Sequence, residues 1–542
     1  MSNQASSGRP SNSGRPSGSG RPAGSGRPSS PPRRAGGKPG RAGGRDAPRS
    51  RTAEGGAERP DSRPGGGRPV NVDPARSVAF ETLRAVTDRD AYANLILPGL
   101  LRRARLRGRD AGLATELAYG ALRGRGTYDA IIAAGTDRPI AEIDPAVLDA
   151  LRLGVHQLLH MRVPPHAAVS TTVDLVRSTS GSGASRFANA VLRRVGERDE
   201  AEWLAKVAPD ASTDPDGNLS VTHSHPQWIV RALRDALKAT GRPDDELPAL
   251  LASHNARPTV VAAALPGLSD VAELTEGDRA RPGVLSPVAA LLKGAPDEIP
   301  AIRQSRARVQ DEGSQLVALG AAAATTIGTD RGLWLDLCAG PGGKAALLAA
   351  LLAERHAAGL VGDDAELVAV ESAEHRAGLV QQSLAAVQCA YDVQVRDGRT
   401  VGEAEPGRYD RVLVDVPCTG LGALRRRPES RWRRSPSDLT SLAPLQRALL
   451  ESALAAVRPG GVVAYATCSP HPAETRLVVD DVLRGRDDVE RLDTPAVLRD
   501  LIGSRRLPGS DDLVLGDGPS VQLWTHLHGT DSMFLSLLRR NA

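Results

Sequence analysis

A chain of 542 residues, 40% apolar but only 3% aromatic, is long enough for about three domains whose cores rest on aliphatic side chains. Four cysteines without a CxxC pair exclude a disulfide scaffold and argue against a structural zinc site, and no apolar run of roughly 18 residues is present to span a membrane. The net charge of +5 is uneven: residues 1–70 hold 14 Lys/Arg against 4 Asp/Glu, so the remainder is net acidic and whole-chain basicity says nothing about its partners.

The N-terminus is basic but lacks an apolar h-region, so no signal peptide is expected and a cytoplasmic location is. Gly-Arg-Pro recurs at residues 8, 14, 20 and 26 and again at 67, and no Leu, Ile, Phe, Tyr or Trp precedes Phe80. Such a segment cannot offset its own ordering entropy, so residues 1–71 are expected to be a disordered tail. Its arginines can hold RNA phosphates non-specifically or act only as solvating charge; both readings stand.

Residues 72–205 carry helical periodicity. Asp73-Pro74 is a helix start, and Val78, Ala79, Leu83 and Val86 form an apolar stripe. Further periodic runs are Leu113–Leu122, Pro145–Met161, Val169–Val176 and Phe187–Val195. Three segments, Ala111-Gly-Leu-Ala-Thr-Glu-Leu-Ala-Tyr-Gly-Ala-Leu-Arg123, Leu151-Arg-Leu-Gly-Val-His-Gln-Leu-Leu159 and Phe187-Ala-Asn-Ala-Val-Leu-Arg193, resemble the NusB-type helical domain. That domain occurs in a transcription antitermination factor and fused to certain rRNA methyltransferases, so the resemblance implies RNA binding.

Residues 206–308 read as a linker with a small α+β subdomain. Ser224–Ile229 turns into a helix running to Leu237, and Thr259–Leu265 is a strand. Residues 309–542 alternate the two patterns. Strands are expected at Leu333–Leu337, Leu367–Val370, Val393–Val395, Arg411–Val414 and Gly461–Ala466, with helices at Ser314–Ala324, Ala345–Glu354, His375–Leu384 and Leu442–Val457. Apolar strands alternating with helices predict an α/β, mostly parallel sheet covered on both faces, with ligands at the carboxyl ends of its strands.

That rule sets the candidate site residues along one rim. Cys338-Ala339-Gly340-Pro341-Gly342-Gly343-Lys344 is a strand-to-helix turn rich in glycine, which lets backbone approach a ligand closely. It is not a phosphate loop, because no Ser or Thr follows Lys344. Glu371 ends the next strand, where an acid can accept from ribose hydroxyls. Asp397 precedes a glycine and reads equally as an adenine contact or a turn residue. Asp415-Val-Pro-Cys418 and Tyr465-Ala-Thr-Cys468 each place a cysteine just after a strand, where a thiolate can act as a nucleophile.

Together these motifs resemble the RNA cytosine-5 methyltransferases, in the NusB-fused branch that acts on small-subunit (16S) ribosomal RNA. The resemblance covers about residues 75–200 and 309–542, and includes Val309-Gln-Asp-Glu-Gly-Ser-Gln315 and His528-Gly-Thr-Asp-Ser-Met-Phe534. It implies a Rossmann-like catalytic domain behind the helical one. Residues 338–344, Glu371, Asp397 and Asp415 would bind or border S-adenosylmethionine, Cys468 would be the nucleophile and Cys418 would assist product release, with Asp415 beside the cytosine ring. Cys338 itself reads as packing. Glu371 stands where Asp is more usual in the family, and Ala357–Glu366 lengthens the preceding loop. The rivals are the same chemistry on tRNA and a non-catalytic RNA-binding assembly factor.

Leu424-Arg-Arg-Arg-Pro-Glu-Ser-Arg-Trp-Arg-Arg434 packs six arginines and one acid into 11 residues, and reads as a loop that can hold RNA phosphates or as a solvated charged loop, with Trp432 anchored in a core. His156, His166, His471 and His528 lack metal-ligand spacing and read as capping or packing residues, so no metal is expected. The expected protein is a monomer whose partner is RNA.

Overall fold

The computed structural model describes residues 72–503 and 514–542. The expected disordered tail, residues 1–71, lies outside them.

Seven helices open the described chain: α1 (Pro74–Arg89), α2 (Ala93–Arg103), α3 (Gly108–Arg123), α4 (Arg125–Ala134), α5 (Pro145–His160), α6 (Pro165–Val195) and α7 (Glu200–Val207). Two begin with the same device. Asp73 accepts from the Arg76 N–H at 2.9 Å and Asp144 from the Ala146 N–H at 2.9 Å, each followed by a proline whose fixed φ suits the first turn. The two periodic runs at 169–176 and 187–195 belong to one element, α6, broken at Gly181, whose φ of 86° only glycine adopts easily. Leu83, Leu117, Ile131, Leu151 and Leu192 fill the core between the helices. Asp149, buried there, is paired by Arg84 at 2.9 Å and Arg152 at 2.8 Å.

Residues 206–308 divide between two packing environments. Helices α8 (Pro215–Thr222), α9 (Gln227–Ala239) and α10 (Leu247–Asn255) bury Ile229, Leu233 and Leu250 against Leu421, Leu424 and Trp524 of the later chain. Strands β1 (Val261–Ala264), β2 (Ala280–Pro282), β3 (Ala289–Leu292) and β4 (Ala307–Val309) form an antiparallel sheet of order β2-β3-β1-β4 with its own small core.

The C-terminal part is Rossmann-like. Strands β5 (Leu333–Asp336), β6 (Glu366–Glu371), β7 (Ala390–Val395), β8 (Tyr409–Asp415) and β9 (Val457–Thr467) run parallel in the order β9-β8-β5-β6-β7. Side chains alternate between its faces. Trp334, Leu367, Leu413 and Ala464 pack under helices 312–323 and 343–357, whereas Leu335, Val368, Val412 and Val463 pack under helices 436–456 and 476–483. The sheet is mixed rather than purely parallel. β12 (Phe534–Arg540) joins β9 antiparallel and carries β10 (Val489–Arg491) and β11 (Ser520–Gln522). Two of these three strands span only three residues, too short for a period of two to show in sequence.

One expectation is overturned. The arginine-rich segment 424–434 is a strap between the helical and catalytic regions, with every arginine side chain but that of Arg427 spent on protein partners rather than left for phosphates. Arg425 and Arg426 pair with Asp311 and Asp531, Arg433 donates to the carbonyls of Val86 (3.1 Å) and Ala91 (2.6 Å), and Arg434 pairs with Asp438 at 3.1 Å. Arg431 is fully buried and donates to the carbonyls of Arg123 (3.3 Å), Ser224 (3.0 Å) and His254 (2.9 Å) and to Asn255 Oδ1 (2.7 Å). Trp432 is anchored as expected, but in the junction: a Cβ on Gly126 of α4 would lie 2.6 Å from its ring.

Truncating Arg431 leaves four buried acceptors without their donor. Arg431→Ala should therefore cost about 2–4 kcal/mol of stability in urea unfolding. Arg431→Lys should recover only part of it, because an ammonium lacks the planar fork.

Candidate active site

The order β7-β6-β5-β8-β9 reverses direction between β5 and β8, and a crevice opens at their carboxyl ends at such a switch point. The turn after β5 occupies it. Its path is set by backbone bonds from Leu337 N–H to Leu413 O (2.8 Å) and from Ala339 N–H to Val370 O (2.9 Å). Two glycines are required by close approach. A Cβ on Gly340 would lie 2.1 Å from Glu371 Oε2, and one on Gly342, whose φ is 104°, would lie 2.5 Å from Ser383. The turn is thus drawn tightly against the end of β6. Glu371, nearly buried, accepts from Ala373 N–H at 3.0 Å and faces Arg376 at 3.3 Å, while Arg376 also donates to Gly340 O at 2.7 Å.

Across the switch point Lys344 Nζ meets Asp415 Oδ2 at 2.8 Å. Burial opposes the Lys344 charge, but Asp415, with Cys468 beside it, outweighs burial and the Lys344 pKa is raised. Under this pair lies Asp336, the last residue of β5, which the sequence reading treated only as part of a strand. Its Oδ1 accepts from Cys338 N–H at 3.4 Å and its buried Oδ2 has no partner among the described residues. Burial, reinforced by the Asp415 charge, pushes its carboxyl up to about 7. An acid closing a strand just before a glycine turn was the available signal for it.

Cys418 and Cys468 meet with their sulfurs 3.3 Å apart, as two thiol groups rather than a disulfide. Cys418 follows β8 and Cys468 follows β9, adjacent parallel strands whose ladder runs on through Val416 N–H to Ala466 O at 3.0 Å. The contact has a direction. The hydrogen bond from Cys418 lowers the Cys468 pKa against the effect of burial, with Lys344 and Arg427 contributing, and the same bond together with burial raises Cys418. The contact thus favours Cys468 over Cys418 as the sulfur that loses its proton. The loop carrying Cys418 is held by buried Glu474, which accepts from Thr419 N–H at 2.8 Å and from Gln446 at 3.2 Å. Gly422 N–H donates to Cys468 O at 2.9 Å, tying the two cysteine loops together. Glu474 and Thr419 were not singled out in sequence, because nothing local marks a residue that acts by bracing a distant loop.

The other candidates fall further out. Asp397 ends up on the same rim after β7, with its carboxylate capping Arg399 N–H at 3.0 Å and paired with the Arg399 side chain at 2.6 Å. Cys338 is partly buried, and burial holds its thiol protonated. Cys389 lies beside β7, away from the thiol pair, and its pKa is pushed up to about 11 by burial. His471 and His528 do cap and pack: His471 Nδ1 accepts from Ala473 N–H at 3.2 Å, and His528 bonds within the turn at Trp524. Among the described residues no group of His, Cys, Asp or Glu could hold a metal ion, and no helix is long and apolar enough to cross a membrane.

Residues 326–539 match the family described as 16S rRNA methyltransferase RsmB/F, and residues 73–197 match the NusB family. The chain is 51% identical over 470 residues to a Mycobacterium tuberculosis protein with a provisional methyltransferase name, covering 86% of this chain and 97% of that one. It is 30% identical to a Synechocystis sp. protein named as a probable ribosomal RNA small subunit methyltransferase B, covering 76% and 90%. Among solved structures, PH0851 superposes with a TM-score of 0.68 at 21% identity, covering 87% of this chain and 99% of that one, which shows a shared fold.

The polarity of the thiol pair is testable without substrate. Alkylation of Cys468 by iodoacetamide, followed by mass spectrometry, should proceed at a pH where ordinary thiols are slow. Cys418→Ala removes the main cause of the lowered pKa, so the alkylation profile of Cys468 should move to higher pH. An unmoved profile would show that Cys418 does not set the thiolate.

Proposed function

Because the chain belongs to the RsmB/F family of 16S rRNA methyltransferases, we propose that it transfers the methyl group of S-adenosylmethionine to C5 of a cytosine in small-subunit ribosomal RNA, through a covalent bond between Cys468 and C6 of the base. The observation that carries this reading is the polarised pair of cysteines at the switch point, beside Lys344 and Asp415. A small-molecule methyltransferase has no use for two thiols so placed.

The turn fits the cofactor. Glycines at 340 and 342 leave its backbone free of side chains, Glu371 can accept from the two ribose hydroxyls, and the unpartnered Asp336 Oδ2 and the Lys344–Asp415 pair border the place for the methionine end. Asp397 is the proposed contact to the adenine amino group, which requires its carboxylate to release Arg399. The cofactor, when bound, supplies an electrophilic methyl group on a sulfonium centre.

C5 of cytosine is a weak nucleophile. The Cys468 thiolate adds to C6 and pushes the ring electrons toward C5, which can then take the methyl group. Asp415 accepts from the amino group at C4 and fixes the ring as charge develops. Once Cys468 is bonded to carbon, the negative charge that raised the Cys418 pKa is gone. Cys418 can then lose its proton to water and take up the proton on C5. Breaking the C6–S bond restores the ring, leaving Cys468 as thiolate and Cys418 as thiol, their starting state.

RNA reaches this rim past Arg427. Of the six arginines in the strap, it is the one whose side chain makes no ion pair or hydrogen bond among the described residues. It is exposed, and its guanidinium lies over the Tyr92 ring of the helical region at 5.4 Å. A cation propped beside Cys468 suits the phosphate next to the target nucleotide.

Cys468→Ala should abolish methyl transfer while S-adenosylmethionine still binds in calorimetry; retained transfer removes the proposed nucleophile. Cys418→Ala should accumulate a covalent protein–RNA adduct visible on denaturing gels. Bisulfite sequencing of ribosomal RNA from a deletion strain should show one lost 5-methylcytosine, and no loss would redirect the search to tRNA. Arg427→Ala and Tyr92→Ala should each raise KM for RNA by about tenfold with kcat little changed, as expected for one phosphate contact.

A further inference from the structure

A cavity of about 270 Å³ lies away from the catalytic rim, where α3, α4, α5 and α7 meet the turn after α8. Glu116, Arg123, Tyr128, His156, His160 and Glu200 line it. Glu116, Gly120 and Arg123 share one face of α3, which sets the acid and the guanidinium two turns, roughly 10 Å, apart. The His156 ring covers the helix between them: a Cβ on Gly120 would lie 2.0 Å from its Nε2. Tyr128 OH bonds His156 Nδ1 at 2.9 Å and fixes the ring, and His160 stacks on it at 5.6 Å and 27°. The result is an aromatic floor with a carboxylate at one end and a guanidinium at the other.

The polar ends are left unfilled. Arg123 is 8% exposed, its Nε is buried without a hydrogen-bond partner, and its side chain makes no ion pair among the described residues, resting only on the Tyr119 ring at 5.5 Å. A buried guanidinium without an acceptor is costly, and it matches a site whose acceptor comes from outside. Glu116 reaches His156 through Oε1 at 3.5 Å and its Oε2 has no partner among the described residues, while Glu200 faces His160 at 3.4 Å.

The donor set selects the ligand. The two carboxylates lining the cavity disfavour a phosphate even with Arg257 near Glu116 and Arg123, and the guanidinium groups disfavour a cation. A neutral planar ring with an acceptor pair on one edge and a donor pair on another satisfies both ends. Guanine has this pattern, with O6 and N7 for Arg123 and N1–H and the N2 amino group for Glu116. Its face can stack on the imidazole floor, as extruded bases stack on aromatic side chains. We propose that this cavity binds a guanine base extruded from the RNA on which the chain acts.

The cavity is tied to the catalytic loops. Ser224 and Asn255, which also line it, accept from Arg431, and Arg431 belongs to the strap that follows Cys418. A guanine held here stands at a fixed distance from the thiol pair and sets which cytosine can reach it.

The inference rests on the RNA reading above, but its test does not require methyl transfer. Saturation-transfer NMR on the full chain, with S-adenosylhomocysteine added to fill the cofactor turn, reads the binding of free nucleosides. Guanosine should bind, and inosine, without the N2 amino group, and 7-deazaguanosine, without N7, should each bind about tenfold more weakly. Glu116→Gln and Arg123→Gln should lose guanosine while keeping S-adenosylhomocysteine, which also reports that they fold. No guanosine binding, or equal binding of adenosine or 7-deazaguanosine to the unaltered protein, overturns the proposal. Failure to methylate ribosomal RNA would strike the proposed reaction and leave this result standing.

Discussion

Lys344, in the first turn of the helix 343–357, and Asp415, the last residue of β8, are 71 residues apart, and their 2.8 Å ion pair exists because β5 and β8 are neighbours at the point where the strand order reverses. Most of the site hangs on that pair. It keeps a cation beside Cys468, it sets the negative charge that, with burial, raises Asp336, and it holds the glycine turn against the loop bearing Cys418. Two partly buried charges are stabilised here by each other's field rather than by water. The same contact between the sulfurs favours proton loss from Cys468 over Cys418, which is the asymmetry the proposed chemistry uses.

The second constraint is the strap. The catalytic loops continue directly into a segment whose arginines are spent on carbonyls and carboxylates of distant elements. Arg431 alone joins the backbone of α3, the turn after α8 and the end of α10. A fully buried guanidinium with four acceptors and no carboxylate partner among the described residues fixes geometry at the expense of its own charge: burial drives its pKa down to about 9. The strap thereby couples the helical region, its cavity and the thiol pair into one arrangement for a strand of RNA.

Some of this was legible in the residues. The five parallel strands, the glycine turn and the two cysteine motifs each carry local marks: an apolar run, a conformation only glycine tolerates, a cysteine just after a strand. The comparisons agree with the family resemblance those motifs carried. The arginine segment was misread because charge density in sequence cannot show where counterions are. Asp311 and Asp531 lie 114 and 106 residues from Arg425, and only folding brings them to it. β12 and its short partners were missed because an antiparallel edge pairs through backbone groups that any sequence supplies.

By itself, then, the sequence determined the strand and helix periods, the turn and the identity of the candidate site side chains, since these depend on residues within a few positions of one another. Only the tertiary structure decided which strands are neighbours, that Cys418 and Cys468 meet, which strap arginine side chain is left unpaired among the described residues and that Glu116 and Arg123 face a shared cavity. Those outcomes depend on burial and on distances between remote residues, and a field or a hydrogen bond across space has no signature in the order of residues along the chain.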